Sequence, residues 1–142
     1  MMHTRRGAIL YSVAAFVSLI GLADAVYLTI GHLTGQSVRC TLTSGCSEVL
    51  GSPYATVYGH PVALFGAIAY FTVFSLATLA AFGYRFVDRL LLLIVASMFL
   101  TTLWLLYLQA FVIHHFCQYC LLSAAVTITL TVIVVIVSRA SR

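Results

Sequence analysis

The residues best equipped for chemistry in this sequence are four cysteines, Cys40, Cys46, Cys117 and Cys120. Cys117 and Cys120 form a Cys-x-x-Cys at the very start of a long apolar run. In a helix's first turn such a pair shares one face, with Cβ atoms about 5–6 Å apart, against about 3.5–4.5 Å in a relaxed disulfide. A bridge there is feasible but mildly strained, and so easier to reduce than a structural one. A helix N-terminus also favours thiolate over thiol. Both effects suit a pair that cycles between oxidation states. Two other readings compete. Static disulfides would staple an outer loop and a helix, with three pairings open to four cysteines; yet a Cys-x-x-Cys closes too small a loop to restrain the unfolded chain much. Zinc ligation could recruit His60, His114 and His115, but Cys-x5-Cys with Cys-x-x-Cys lacks the regular spacing of a zinc ribbon. No metal site is expected.

What must position these thiols is a membrane domain. The chain is 63% hydrophobic and 7% charged, where a soluble domain carries about 25% charged residues. Such a surface must face lipid. Four apolar stretches are long enough to cross about 30 Å of hydrocarbon, at about 7–30, 61–82, 90–112 and 117–137. The first is too long for a signal peptide's apolar region and reads as a retained span. Residues 31–60 form an extended polar loop punctuated by Gly and Pro53, in which Ser47-Glu48-Val49-Leu50 can make a short helix with Ser47 as cap. Pro61 fits the first turn of the second span. Gly83 to Arg89 reads as a tight charged turn, and Ile113 to Phe116 as a very short connection. The expected fold is therefore an all-α, four-transmembrane-helix bundle, one domain over 1–142, with an extracytoplasmic loop and short helix capping the site.

Charge gives this bundle a direction. Arg5, Arg6, Arg85, Arg89, Arg139 and Arg142 fall on one side of a four-span chain and only Arg39 on the other. By the positive-inside rule the termini are cytoplasmic and all four cysteines lie at the extracytoplasmic face, where disulfides are permitted. The net charge of +4 thus reports topology rather than a nucleic-acid surface.

Four thiols on that face point to a thiol–disulfide relay. Cys40 and Cys46 would exchange with a soluble dithiol partner and then with the helix pair, since exchange needs only thiolate attack on an accessible sulfur. Because the helix pair sits at the bilayer edge, its electron acceptor must be lipid-soluble, and a quinone is the natural candidate. The sequence contains no Rossmann glycine pattern or P-loop and no paired mid-span histidines for haem, so no haem or flavin is expected.

The order of motifs resembles the vitamin K epoxide reductase family, specifically its prokaryotic members. The resemblance rests on Cys46-Ser47-Glu48-Val49-Leu50, then Gly59-His60-Pro61-Val62-Ala63-Leu64-Phe65-Gly66, and Cys117-Gln118-Tyr119-Cys120 opening the fourth span. The segment Gly21-Leu22-Ala23-Asp24 to Tyr27-Leu28 is similar as well, so the likeness covers essentially the whole chain. It implies that Cys40 meets the partner protein, that Cys46 attacks Cys117, and that Cys120 is the thiolate beside the quinone ring. It also implies a thioredoxin-like extracytoplasmic partner and ubiquinone or menaquinone as oxidant, promoting disulfide formation in exported proteins from the prokaryotic cell membrane. The chain differs from the animal enzymes in carrying Ala124 four residues after Cys120, where they have a quinone-contacting Tyr, so epoxide reduction is not expected. Some bacterial relatives carry a fused thioredoxin-like domain; here the partner is expected to be a separate protein.

Other residues have a functional and a plain reading side by side. Asp24, in the outer third of the first span, either assists proton release as quinol forms or hydrogen-bonds a neighbouring helix. His114 either handles protons beside the thiols or is simply interfacial. Ser47 either caps its helix or also roofs the quinone. Phe65 and Tyr119 are the aromatics nearest the motifs and are expected to contact the ring, although aromatics are also common in interfacial belts. The rival from another class is a non-catalytic membrane protein or small transporter with static disulfides; a transporter is disfavoured by the scarcity of mid-span charge and Pro.

Overall fold

The computed structural model describes residues 5–33, 56–57, 60–82, 86–113 and 118–140. Helix α1 (Arg5–Leu33) is followed by two short strands, β1 (Thr56–Val57) and β2 (His60–Pro61), then α2 (Val62–Ala81). Helix α3 (Val87–Tyr107) runs on into a π-helical segment, Leu108–Ile113, and α4 (Gln118–Ala140) completes the described chain. Among the described residues four stretches are long and apolar enough to cross a membrane: Gly7–Gly31, Val62–Ala81, Val87–Val112 and Tyr119–Arg139. The fold is the expected all-α, four-helix bundle. Its outward surface includes Phe16, Phe71, Leu93 and Leu100, all well exposed. Water would not tolerate so continuous an apolar surface, whereas lipid is its matching solvent. The protein is a multi-pass membrane protein.

The bundle holds together along seams spaced by three and four residues. On α1 the buried positions include Tyr11, Ala14, Ser18, Gly21, Ala25 and Leu28; on α2 they include Tyr70, Val73, Ala77 and Ala80. That period is the one that keeps two helices in contact over several turns, and its small residues let backbones approach closely where lipid supplies no hydrophobic drive. Helix α1 packs chiefly on α2 and then on α4, while α3 packs on α4 and α2. Helix α3 is the least enclosed: Val87, Leu91 and Val95 are buried, and the next fully buried positions are Leu108 and Gln109. Hydroxyls facing lipid are satisfied within their own helices. Ser12, Thr72, Ser75, Ser97, Thr101 and Thr129 each donate to the carbonyl four residues back.

Two contacts fix which helix ends lie together. The Tyr11 hydroxyl donates to Asp88 Oδ1 at 2.9 Å, tying the start of α1 to the start of α3. The rings of Tyr27 and Tyr119 lie 5.4 Å apart, tying the last turns of α1 to the first turn of α4. Arg89 and Arg139 therefore belong to the end opposite Cys120.

Several boundaries differ from expectation. Pro61 belongs to β2, with Thr56 opposite Pro61 and Val57 opposite His60; α2 begins at Val62. The charged turn is shorter than 83–89, because α3 already begins at Val87 and holds Asp88 in its first turn, where a carboxylate complements the helix dipole. Ile113 continues the π-helical segment and is no part of the connection. Helix α4 begins at Gln118, one residue later than expected, and extends to Ala140. The short helix expected at Ser47–Leu50 lies outside the described residues.

Candidate functional site

The end of the bundle that holds Cys120 is assembled from three helices. Cys120 is the third residue of α4 and is partly buried, as is its neighbour Tyr119. One turn further along α4 comes Ser123, and one turn beyond that Thr127; a residue and those three and seven positions on share a helix face. That stripe looks into the bundle. The Tyr70 hydroxyl from α2 lies 2.6 Å from Ser123 Oγ and 3.0 Å from Thr127 Oγ1, and also reaches the Ser123 carbonyl oxygen at 3.0 Å. Its single proton can serve one acceptor at a time, so the neighbouring hydroxyls complete the set as donors.

Helix α1 closes this end from the other side. Tyr70 lies so close to Gly21 that a Cβ on Gly21 would stand 2.4 Å from the ring. Only glycine permits this approach, and it is what lets a large aromatic cross from α2 to α4. The start of α2 also adjoins α1, in ordinary van der Waals contact, with the place of a Gly66 Cβ 3.9 Å from Ala25 Cβ. One turn beyond Gly21 stands Asp24, 7% exposed. Neither of its carboxyl oxygens has a hydrogen-bond partner among the described residues. A carboxyl in this condition is expensive to hold in an apolar interior. Tyr27, three residues on, carries the contact to Tyr119.

The site residues expected from sequence divide into two groups. Cys120, Tyr119 and Asp24 come together at this end; Phe65 stands on the first turn of α2 with 45% of its surface exposed. Cys40, Cys46, Ser47, His114 and Cys117 lie outside the described residues. Among the described residues no three His, Cys, Asp or Glu side chains gather into a group able to hold a metal ion. Sequence reasoning gave no pocket role to Tyr70 and did not single out Ser123, Thr127 or Gln109, the buried polar residue of the π-helical segment. A signal for the first three was present: small residues recur at three and four positions through Gly21 on α1, and hydroxyls recur at three and seven positions after Cys120 on α4.

Comparison with known proteins agrees with this picture. Over 57 residues, 39% of the chain, it is 37% identical to a protein of Arabidopsis thaliana named thiol-disulfide oxidoreductase LTO1. The match spans 15% of that longer relative. The model of the vitamin K epoxide reductase family matches residues 12–135, most of the chain, and reaches into each of the four described helices that can cross a membrane. This protein belongs to the vitamin K epoxide reductase family.

Proposed function

We propose that the protein is an oxidoreductase of thiol–disulfide exchange that takes electrons from an extracytoplasmic, thioredoxin-like dithiol protein and delivers them to membrane quinone. The observation that carries this reading is the position of Cys120: partly buried, on the inward stripe of α4, beside the Tyr27–Tyr119 ring pair and at the end opposite Arg89 and Arg139. Family membership and the relative's name support the chemistry. The arginine distribution supports cytoplasmic termini and an extracytoplasmic site, and residues 1–142 are taken to act as one domain.

The exchange runs in four thiol–disulfide steps. A partner thiolate attacks Cys40 of the Cys40–Cys46 disulfide, and the partner's second thiol releases the partner in oxidised form. The freed Cys46 thiolate then attacks Cys117 of the Cys117–Cys120 disulfide, leaving Cys120 as the thiolate. Cys40 resolves the Cys46–Cys117 bridge, and the helix pair is then a dithiol whose two electrons go to quinone as its own disulfide re-forms. The half-exposed Phe65 ring and the tyrosines flanking Cys120 suit a planar apolar substrate that arrives through lipid. Static disulfides in a non-catalytic protein leave such an aromatic setting for Cys120 without a purpose.

The test is steady-state turnover of purified protein with a reduced thioredoxin-like protein and a soluble quinone analogue. Wild type is expected to form quinol and oxidised partner in equal amounts, and Cys120→Ala to form neither. Undiminished quinol formation by Cys120→Ala, or none by wild type, contradicts the proposal.

A further inference from the structure

Asp24 is the one ionisable side chain buried in the described core whose oxygens have no hydrogen-bond partner there. Two of its neighbours explain why it is not an ordinary interhelical glue. Tyr70, whose ring lies against Gly21 three residues before Asp24, commits its hydroxyl to Ser123 and Thr127 on α4. Gly21, one turn away, contributes no side chain at all. A carboxyl that is only 7% exposed and has no hydrogen-bond partner among the described residues is matched by a ligand that can be donor or acceptor. A quinone carbonyl accepts a hydrogen bond, and a quinol hydroxyl donates one. A carboxyl group makes the converse change when it gives up its proton.

Depth agrees with this pairing. Tyr27 contacts Tyr119, the residue before Cys120, and Asp24 precedes Tyr27 by three residues, about 4.5 Å along the helix at 1.5 Å per residue. On α4, Ser123 follows Cys120 by the same three residues and holds Tyr70. Asp24 therefore lies within about one helical turn of the level of Cys120, on the interior side of it.

We infer that Asp24 is the proton-exchange group for the quinone, with Tyr70 and the hydroxyls of Ser123 and Thr127 as the polar chain behind it. This rests on the quinone-linked reading above. The Cys117–Cys120 dithiol loses two electrons and two protons as its S–S bond forms, and the quinone takes up two of each to become quinol. Asp24 carries one of those protons: its carboxyl gives a proton to a quinone oxygen, and the carboxylate left behind takes one released by the thiol pair. Nothing is consumed beyond the dithiol and the quinone. The role is independent of thiol exchange in the loop, which is what makes it separable.

The experiment compares wild type, Asp24→Asn and Asp24→Glu in detergent, following quinol formation and, separately, oxidation of the reduced thioredoxin-like protein in a single turnover without quinone. Asp24→Asn keeps the shape but carries no exchangeable acid proton. It is expected to exchange with the partner as wild type does, and to form quinol slower by about 10²-fold or more, the usual weight of a positioned acid–base group. Asp24→Glu is expected to recover most of the rate. The redox difference infrared spectrum of wild type is expected to show a carboxylic C=O band that shifts in heavy water and is missing from Asp24→Asn. Quinol formation at the wild-type rate in Asp24→Asn overturns the inference while leaving the functional reading intact. So does loss of partner exchange together with quinol formation in both variants, which marks a structural role, and so does a wild-type spectrum with no carboxylic band. A wild type that exchanges thiols but never reduces quinone removes the functional reading itself, and the inference with it.

Discussion

At the scale of single residues, Gly21 decides how the site is built. Adding a methyl group there normally favours a helix by about 1 kcal/mol. Here the new Cβ would meet the Tyr70 ring at 2.4 Å, and overpacking of this kind costs about 1–3 kcal/mol. Moving the ring also breaks its contacts with Ser123 and Thr127. Gly21→Ala is therefore expected to lower thermal stability in detergent and to slow quinol formation; an unchanged melting temperature would mean that Tyr70 does not lie over Gly21. Tyr11→Phe is the simpler case at the other end. It deletes the 2.9 Å bond to Asp88 and is expected to cost about 1 kcal/mol with full activity retained, as measured by unfolding and turnover side by side. Cys120, Tyr119 and Asp24 stand out in the sequence because their types are rare or patterned in an apolar run. The sequence could not tell that Asp24 has no hydrogen-bond partner among the described residues, since that depends on Tyr70 directing its hydroxyl to another helix.

At the scale of the helices, length was the legible quantity and facing was not. Each span shows in sequence as a long apolar stretch, broken in the first only by Asp24, because polar side chains are costly in hydrocarbon. For the same reason both faces of α2 and α3 are apolar, and hydrophobic periodicity cannot say which one turns inward. What carries that information is residue size. Ala77 and Ala80 are fully buried on the α2 seam, opposite a helix whose Ala14 and Ser18 are also fully buried. Ala77→Leu is expected to destabilise by about 1–3 kcal/mol, whereas Leu100→Ala, on the exposed side of α3, is expected to change stability by less than about 0.5 kcal/mol. Equal effects in a detergent unfolding series would contradict the seam. The π-helical segment Leu108–Ile113 was not visible in sequence either, because no glycine or proline marks it. It turns Leu108 and Gln109 inward after a long outward-facing stretch of α3, and π-helical turns of this kind recur at functional sites.

At the scale of the whole molecule, the two ends of the bundle differ in chemistry. One is pinned by Tyr11 and Asp88 and carries Arg89 and Arg139; the other carries Cys120, the tyrosine pair and Asp24. The arginine distribution predicts that the first end is cytoplasmic. A reporter that fluoresces only in the cytoplasm, fused after Arg142, is expected to be bright, and a periplasm-dependent reporter at the same point inactive; the reverse result would invert the site. Both fusions leave the bundle's central claim to a chemical test: that Cys120 hands electrons from a thiol pair directly to quinone. The measurement is anaerobic stopped-flow of pre-reduced protein in which Cys40→Ala and Cys46→Ala leave only the helix pair, mixed with excess quinone. A rapid burst of quinol matching the number of helix thiol pairs, abolished when Cys120→Ala is added, is the predicted result. No burst with the helix pair intact, or a burst that survives Cys120→Ala, would contradict it.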